Sequence, residues 1–420
     1  MLSSRRPSAR VRALLFALAL LLAACGSETA GGEGQARTQS AAASPSPPPP
    51  QLPDAPSAEE LYRVPADVPA GEPGRVVRLQ ELDVPDGLRG WRILYHSTAV
   101  DGRDIVVSGL VFAPAGDERA GRPVVTWGHG SVGLGDACAP SRFPDGIVRQ
   151  PIFRELLNRG FVVTATDYEG LGTPGVHPWL VGQSEGRGML DIVRAARQIP
   201  ASGAGSRVLA FGASQGGGAA LFAGELAGTY ARDLELLGVV AAAPAAELDL
   251  LALLPQENLA GVTGFVVMGA FGFAAAYPDL PLDRVLQPEV LAQRTVVESL
   301  CQDQIDRRFR SQALSQVVRA SPGSVDRWAE AIAQNTPGRR QTEAPVLLVH
   351  GNQDRVVPVE VTQLLFDRLC RMGVPAERQV YGGVDHGEIL SASRDDVLEW
   401  IGAREDGRSP ESREGVQRCS

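Results

Sequence analysis

The chain has 420 residues, a formal net charge of −9 and 40 basic residues, every one of them arginine. A chain this acidic is a poor ligand for nucleic acid. Without lysine, neither a Schiff base nor a Ser–Lys dyad can form. Once a leader and a polar stretch are set aside, about 350 residues remain, enough for one large α/β domain with an insertion.

The first residues have the layout of an export signal. Arg5, Arg6, Arg10 and Arg12 precede an apolar run over 14–22, and Leu22-Ala23-Ala24-Cys25 follows. The run is too short for a membrane span. The segment resembles a bacterial lipoprotein signal. That implies a 1–25 signal peptide, with Cys25 lipidated as the new N-terminus and anchored to the outer face of the bacterial membrane. Residues 26–70 are rich in Gly, Ala, Ser and then Pro, and are expected to form a disordered tether.

Beyond the tether, residues 91–113 alternate apolar and polar side chains around Asp101-Gly102, a hairpin signal. Strands are expected over 123–127, 161–166, 207–211, 236–243, 345–349 and 378–381. Helices are expected over 151–160, 184–198 (with Ser184 as its cap), 215–227 and 359–372, with a last one ending near Ile401. Apolar strands alternating with helices predict a mostly parallel sheet covered on both faces. The helical, Ala/Leu/Gln-rich stretch 247–342 interrupts this alternation and is expected to be a cap or lid. The core is therefore expected over 71–246 and 343–405, with a tail over 406–420. Residues 259–277 of the cap carry no charge. They are read as two short cap helices or a greasy lid rather than as a membrane span, which would put the two halves of the site on opposite sides. Setting Cys25 aside, Cys138, Cys301, Cys370 and Cys419 remain, and an even number in an exported chain favours two disulfides with three possible connectivities. No pair has metal-ligand spacing, so no metal is expected, and no cofactor.

Gly212-Ala213-Ser214-Gln215-Gly216 fits G-x-S-x-G between a predicted strand and a predicted helix. In that context the motif is a nucleophile elbow. A serine hydroxyl needs a base in contact and a third group to orient the base. The elbow architecture supplies them later in the chain, in the order acid, then histidine. Asp354, in "VLLVHGNQDRVVP", and His386, in "VYGGVDHGEIL", each follow a predicted strand. Asp385 and Glu388 are rival acids. His96 lies in the early hairpin, His177 in a surface-like loop, His350 at a strand end, and His129 in a separate motif. An oxyanion needs two donors. The backbone N–H of Gln215 is one, and that of Ser131, after His129-Gly130, is the other, with Val132 as the alternative.

The motifs "WGHGSVGLGDACAPS", "TDYEGLGTPGVHPWLVGQSEGRGMLDIVRAAR", "GASQGG", "GNQDRVVP" and "VDHGEI" together resemble the secretory lipase family, of the Candida antarctica lipase A type. The resemblance covers most of the chain after about residue 90. It implies an α/β-hydrolase fold with a helical cap, and a triad of Ser214, Asp354 and His386. It also implies disulfides Cys138–Cys301 and Cys370–Cys419. The expected function is a serine carboxylic-ester hydrolase (a lipase or esterase) for apolar acyl esters, acting as a monomer. A serine peptidase or acyltransferase with the same triad is the alternative, and a non-enzymatic surface lipoprotein is a third reading.

Overall fold

The structure is a computed structural model and describes residues 52–55, 57–65, 67–116, 119–253, 262–409 and 415–419. The expected signal peptide, Cys25 and most of the tether lie outside these residues. Among the described residues ten strands form one sheet. They are β1 (Val76–Leu82), β2 (Leu88–Thr98), β3 (Asp104–Pro114), β4 (Arg122–Gly128), β5 (Val162–Thr166), β6 (Ala204–Ala213), β7 (Glu235–Ala242), β8 (Val346–Gly351), β9 (Ala376–Tyr381) and β10 (Val416–Arg418). Their spatial order is β1-β2-β3-β5-β4-β6-β7-β8-β9-β10. From β5 to β9 all neighbours are parallel, whereas β1, β2, β3 and β10 join antiparallel at the edges.

The central strands are apolar without interruption because both of their faces are buried. Along β6, Val208 and Ala210 enter one core while Leu209 and Phe211 enter the other, and β8 divides Val346 and Leu348 from Leu347 and Val349 in the same way. That is the period of two of a pleated strand. Helices Gly182–Ala196, Gln215–Tyr230 and Val359–Arg371 cover the first face. Helices Pro151–Asn158 and Arg394–Glu405 cover the second, with Phe153 and Trp400 fully buried. Each fully buried Val, Leu or Phe contributes about 1.5–3 kcal/mol of transfer free energy. This is the α/β-hydrolase architecture, a mostly parallel sheet between two helical layers.

Four local expectations change. The described end of the tether is folded: Ser57 Oγ accepts the Glu60 N–H at 3.1 Å and caps helix Ala58–Tyr62. Ala55 and Leu61 are buried beside Leu94, too few apolar anchors to stand out in the composition. Ser184 is not a cap, because the helix already starts at Gly182. Its hydroxyl instead donates to Glu169 Oε2 at 2.5 Å. The uncharged stretch of the cap holds one 15-residue helix, Val262–Ala276, rather than two short ones. Among the described residues, no helix is long and apolar enough to cross a membrane. The tail supplies β10, which pairs with β9 and is tied down by Cys370–Cys419 (Cα–Cα 5.2 Å).

The described part of 248–334 is mostly short helices, and Met268, Phe271, Phe273 and Trp328 share one buried cluster with Leu134, Trp179 and Val181 of the sheet-bearing part. Cys138–Cys301 (Cα–Cα 5.4 Å) fastens it to the loop after β4.

Two glycines of the elbow face opposite predictions from a third in the same helix. A methyl at Gly212 would overlap the Gly216 carbonyl, and one at Gly216 would overlap the Gly128 carbonyl, whereas Gly228 has nothing near. Urea unfolding should show Gly216→Ala losing about 3 kcal/mol or more. Gly228→Ala should gain about 0.5–1 kcal/mol.

Candidate active site

Ser214 stands between β6 and helix Gln215–Tyr230 with φ +57° and ψ −121°. A non-glycine residue there is strained by about 1–3 kcal/mol and persists only where its surroundings over-determine it. Here the Ser214 N–H donates to the Ala242 carbonyl at 2.9 Å. Its own carbonyl accepts from the N–H groups of Gly217, Gly218 and Ala245 at 3.0, 3.2 and 2.9 Å.

Asp354 follows β8, and its side chain is fully buried. Oδ1 accepts the backbone N–H groups of Val356 and Val357, both at 2.8 Å. Oδ2 takes His386 Nδ1 at 2.6 Å and His350 Nε2 at 3.0 Å. Burial alone would raise this carboxyl's pKa, but the hydrogen bonds from His350 and His386 outweigh it and hold Asp354 well below the ordinary carboxylate range. A carboxylate can only accept, so Nδ1 of His386 carries the proton and Nε2 of the neutral ring is left as a base. The rival acids do not meet His386. Asp385 Oδ1 accepts the N–H groups of Gly387 and Glu388, and Glu388 Oε2 accepts the Asp385 N–H, so both shape the turn that carries the imidazole.

Ser214 and His386 line one cavity of about 570 Å³, together with Gly130, Ser131 and Phe143. Ser214 also opens into a narrower cavity of about 180 Å³ walled by Trp179, Phe265, Phe273, Trp328 and Ile332. Ser131 borders both cavities, whereas Val132 borders only the wide one. Among the described residues, the backbone N–H groups of Ser131, Val132 and Gln215 all lack a protein acceptor.

Residues without an assigned role in the sequence reading surround this centre. His177 is fully buried rather than surface-like, donating from Nδ1 to the Glu169 carbonyl at 2.8 Å. His350 braces Asp354. Glu185 lies beneath the elbow, accepting from the Gln215 side chain at 2.7 Å. His96 stays outside the centre, paired with Asp104, whereas His129 borders the wide cavity with its ring nitrogens on the Gly130 and Asp167 carbonyls.

A sequence profile of the secretory lipase family matches residues 149–412, a span holding the elbow, the acid and the histidine. The chain belongs to the secretory lipase family. The secreted triacylglycerol lipase LIP4 of Malassezia globosa is 26% identical over 344 residues, covering 76% of this chain and 74% of the relative. Candida antarctica lipase A superposes with a TM-score of 0.72 at 19% identity, covering 84% of this chain and 86% of that one. The cell wall degrading esterase LipA of Xanthomonas oryzae gives 0.67 at 18% identity, over 80% of this chain and 100% of that one. This secretory lipase family member is a carboxylic ester hydrolase of α/β-hydrolase fold, and it is exported.

The Asp354 pairing has a consequence for stability. Its folded-state pKa lies below the unfolded value. The contribution is therefore complete above about pH 4 and lost as pH falls below that, towards the folded value. Thermal melts of Asp354→Asn should run below wild type at pH 7, with the gap closing as pH drops under about 4.

Proposed function

We propose that Ser214, His386 and Asp354 are the triad of this ester hydrolase, and that its substrates are esters of apolar acyl chains. The observation carrying the substrate class is the narrow cavity at Ser214, whose walls are almost wholly aliphatic and aromatic. An ester carbonyl held at Ser214 would lie between the two cavities. His386 Nε2 takes the proton as the serine oxygen attacks. The Asp354 carboxylate keeps the ring in the required tautomer and offsets the imidazolium charge. The Ser131 and Gln215 backbone N–H groups hold the oxyanion. His386 then protonates the departing alcohol, whose oxygen must lie on the side of the imidazole, and so in the wide cavity. The acyl chain takes the apolar cavity. Water, activated by the same imidazole, releases the acid.

The name of the Malassezia globosa relative points to triacylglycerol as one such ester. A peptidase reading has less support, since the narrow cavity offers few polar groups to a peptide backbone. The same proposal places the mature protein on the outer face of the membrane through a lipidated Cys25.

The test compares p-nitrophenyl esters of rising chain length with an X-Pro amide, using the mature protein and its Ser214→Ala variant. Ester turnover should exceed that of the amide and fall by about a thousandfold or more in Ser214→Ala, with the fold retained. Faster cleavage of the amide, or unchanged turnover in the variant, would overturn the assignment. A palmitate analogue should label the full-length chain in cells and fail to label Cys25→Ala.

A further inference from the structure

Both walls of the proposed oxyanion site lead back to one buried side chain. Glu185 is 1% exposed and its Oε1 accepts two hydrogen bonds. One comes from Gln215 Nε2 at 2.7 Å, and the other from the Leu180 backbone N–H at 2.9 Å. Gln215 follows the serine directly and carries one proposed oxyanion donor on its own backbone. Leu180 sits at φ +62°, a conformation that a branched residue keeps only when something holds it. Its neighbour Trp179 donates from Nε1 to Ser131 Oγ at 2.9 Å, and Ser131 carries the other donor. One bond from Glu185 thus reaches the first donor's residue, and a short relay through Leu180 and Trp179 reaches the second.

The rest of the network fixes the direction of these bonds. His177 Nδ1 faces the Glu169 carbonyl, so that nitrogen carries the ring proton. Its Nε2, 2.8 Å from Gln215 Nε2, is therefore an acceptor. The two amide hydrogens of Gln215 are then both used, one on His177 and one on Glu185, and the side chain cannot turn without losing them. Burial pushes the His177 pKa down to about 3, so the ring stays neutral. Burial likewise pushes Glu185 up to about 8, against the lowering pull of its bonds from Gln215 and Leu180, so near neutral pH it is mostly the uncharged acid. A leucine of similar size would avoid the desolvation cost of this site. An acid kept here, beneath the nucleophile, has its use in the bonds it accepts.

We infer that Glu185 is a positioning residue of the esterase reaction, holding the Gln215 and Ser131 backbone donors at the spacing that the oxyanion requires. This rests on the triad and oxyanion reading above. Its signature is a loss in kcat with little change in KM, because the donors matter most once negative charge has developed on the ester oxygen.

The experiment uses the mature enzyme and four variants: Glu185→Leu, Glu185→Gln, Trp179→Phe and Ser214→Ala. Loss of one oxyanion donor costs about 100- to 1,000-fold, and a misplaced donor should cost less. Glu185→Leu is expected to lose about 10- to 100-fold in kcat with KM within about threefold. Its affinity for a trifluoromethyl ketone, which forms an oxyanion on the serine, should fall in parallel. Glu185→Gln can still accept both bonds and should recover most of the loss. Trp179→Phe keeps an aromatic ring but loses the N–H to Ser131, and should show a smaller loss of the same kind. A folded Glu185→Leu with wild-type kcat, or a Glu185→Gln as impaired as Glu185→Leu, overturns the inference. If Glu185→Leu does not fold, Trp179→Phe decides, and an unchanged kcat there overturns it. Full activity in Ser214→Ala would instead remove the underlying triad reading, and this inference with it.

Discussion

Three glycines meet where strand, turn and helix cross, and the site depends on that contact. Gly128 at the end of β4 is the parallel-register partner of Gly212 at the end of β6. A side chain on Gly212 would strike the Gly216 carbonyl, and one on Gly216 would strike the Gly128 carbonyl. With no Cβ at these points, the helix can begin almost on top of the strand it has just left. That tight reversal places Ser214 at positive φ, where it borders both cavities. The same contact brings the end of β4 beside the serine, so His129-Gly130-Ser131 is delivered to the proposed nucleophile by the packing that makes its tight turn possible.

The proposed acid and base, Asp354 and His386, arrive by sheet order. β7 separates β6 from β8, and β9 lies beyond, so the loops after β8 and β9 leave the same edge of the sheet as the elbow. Asp354 is held more tightly than a surface aspartate could be. Two backbone N–H groups fix one oxygen, two imidazoles share the other, and no freedom is left for the carboxylate to swing away from His386. Cys138–Cys301 then links the loop carrying Ser131 to the cap that walls the apolar cavity. The proposed catalytic centre and the apolar cavity are fastened to each other covalently as well as by packing.

What could be read from the chain alone was local. The apolar strands announce a doubly covered sheet, and the glycines crowding Ser214 announce a close backbone approach. Asp354 and His386 each stand just past a strand, where such a sheet opens. The supporting shell was not legible, because its partners are far apart in sequence. Glu185 lies 30 residues from Gln215 and His177 lies 38 from it, while a lone histidine in a Thr-Pro-Gly context carries no sign of burial. Ser184 looked like a cap because serine so often precedes a helix. The chain instead enters at Gly182, and the hydroxyl finds Glu169, a partner that no local pattern indicates. In the cap, an uncharged run gave no period by which one helix could be told from two. In the supposed tether, proline and polar composition masked the few side chains that dock 52–65 onto the sheet.

The central claim is that one hydroxyl, one imidazole and two backbone N–H groups converge on a single ester carbonyl. It is tested most directly by a crystal structure of the mature protein after reaction with an alkyl phosphonate. The account predicts phosphorus bonded to Ser214 Oγ, a phosphonyl oxygen within hydrogen-bond reach of the Ser131 and Gln215 N–H groups, His386 Nε2 beside the leaving-group side, and the alkyl chain against Phe273 and Trp328. Phosphonate bonded elsewhere, or an imidazole turned away from Ser214 with the oxyanion facing solvent, would contradict it.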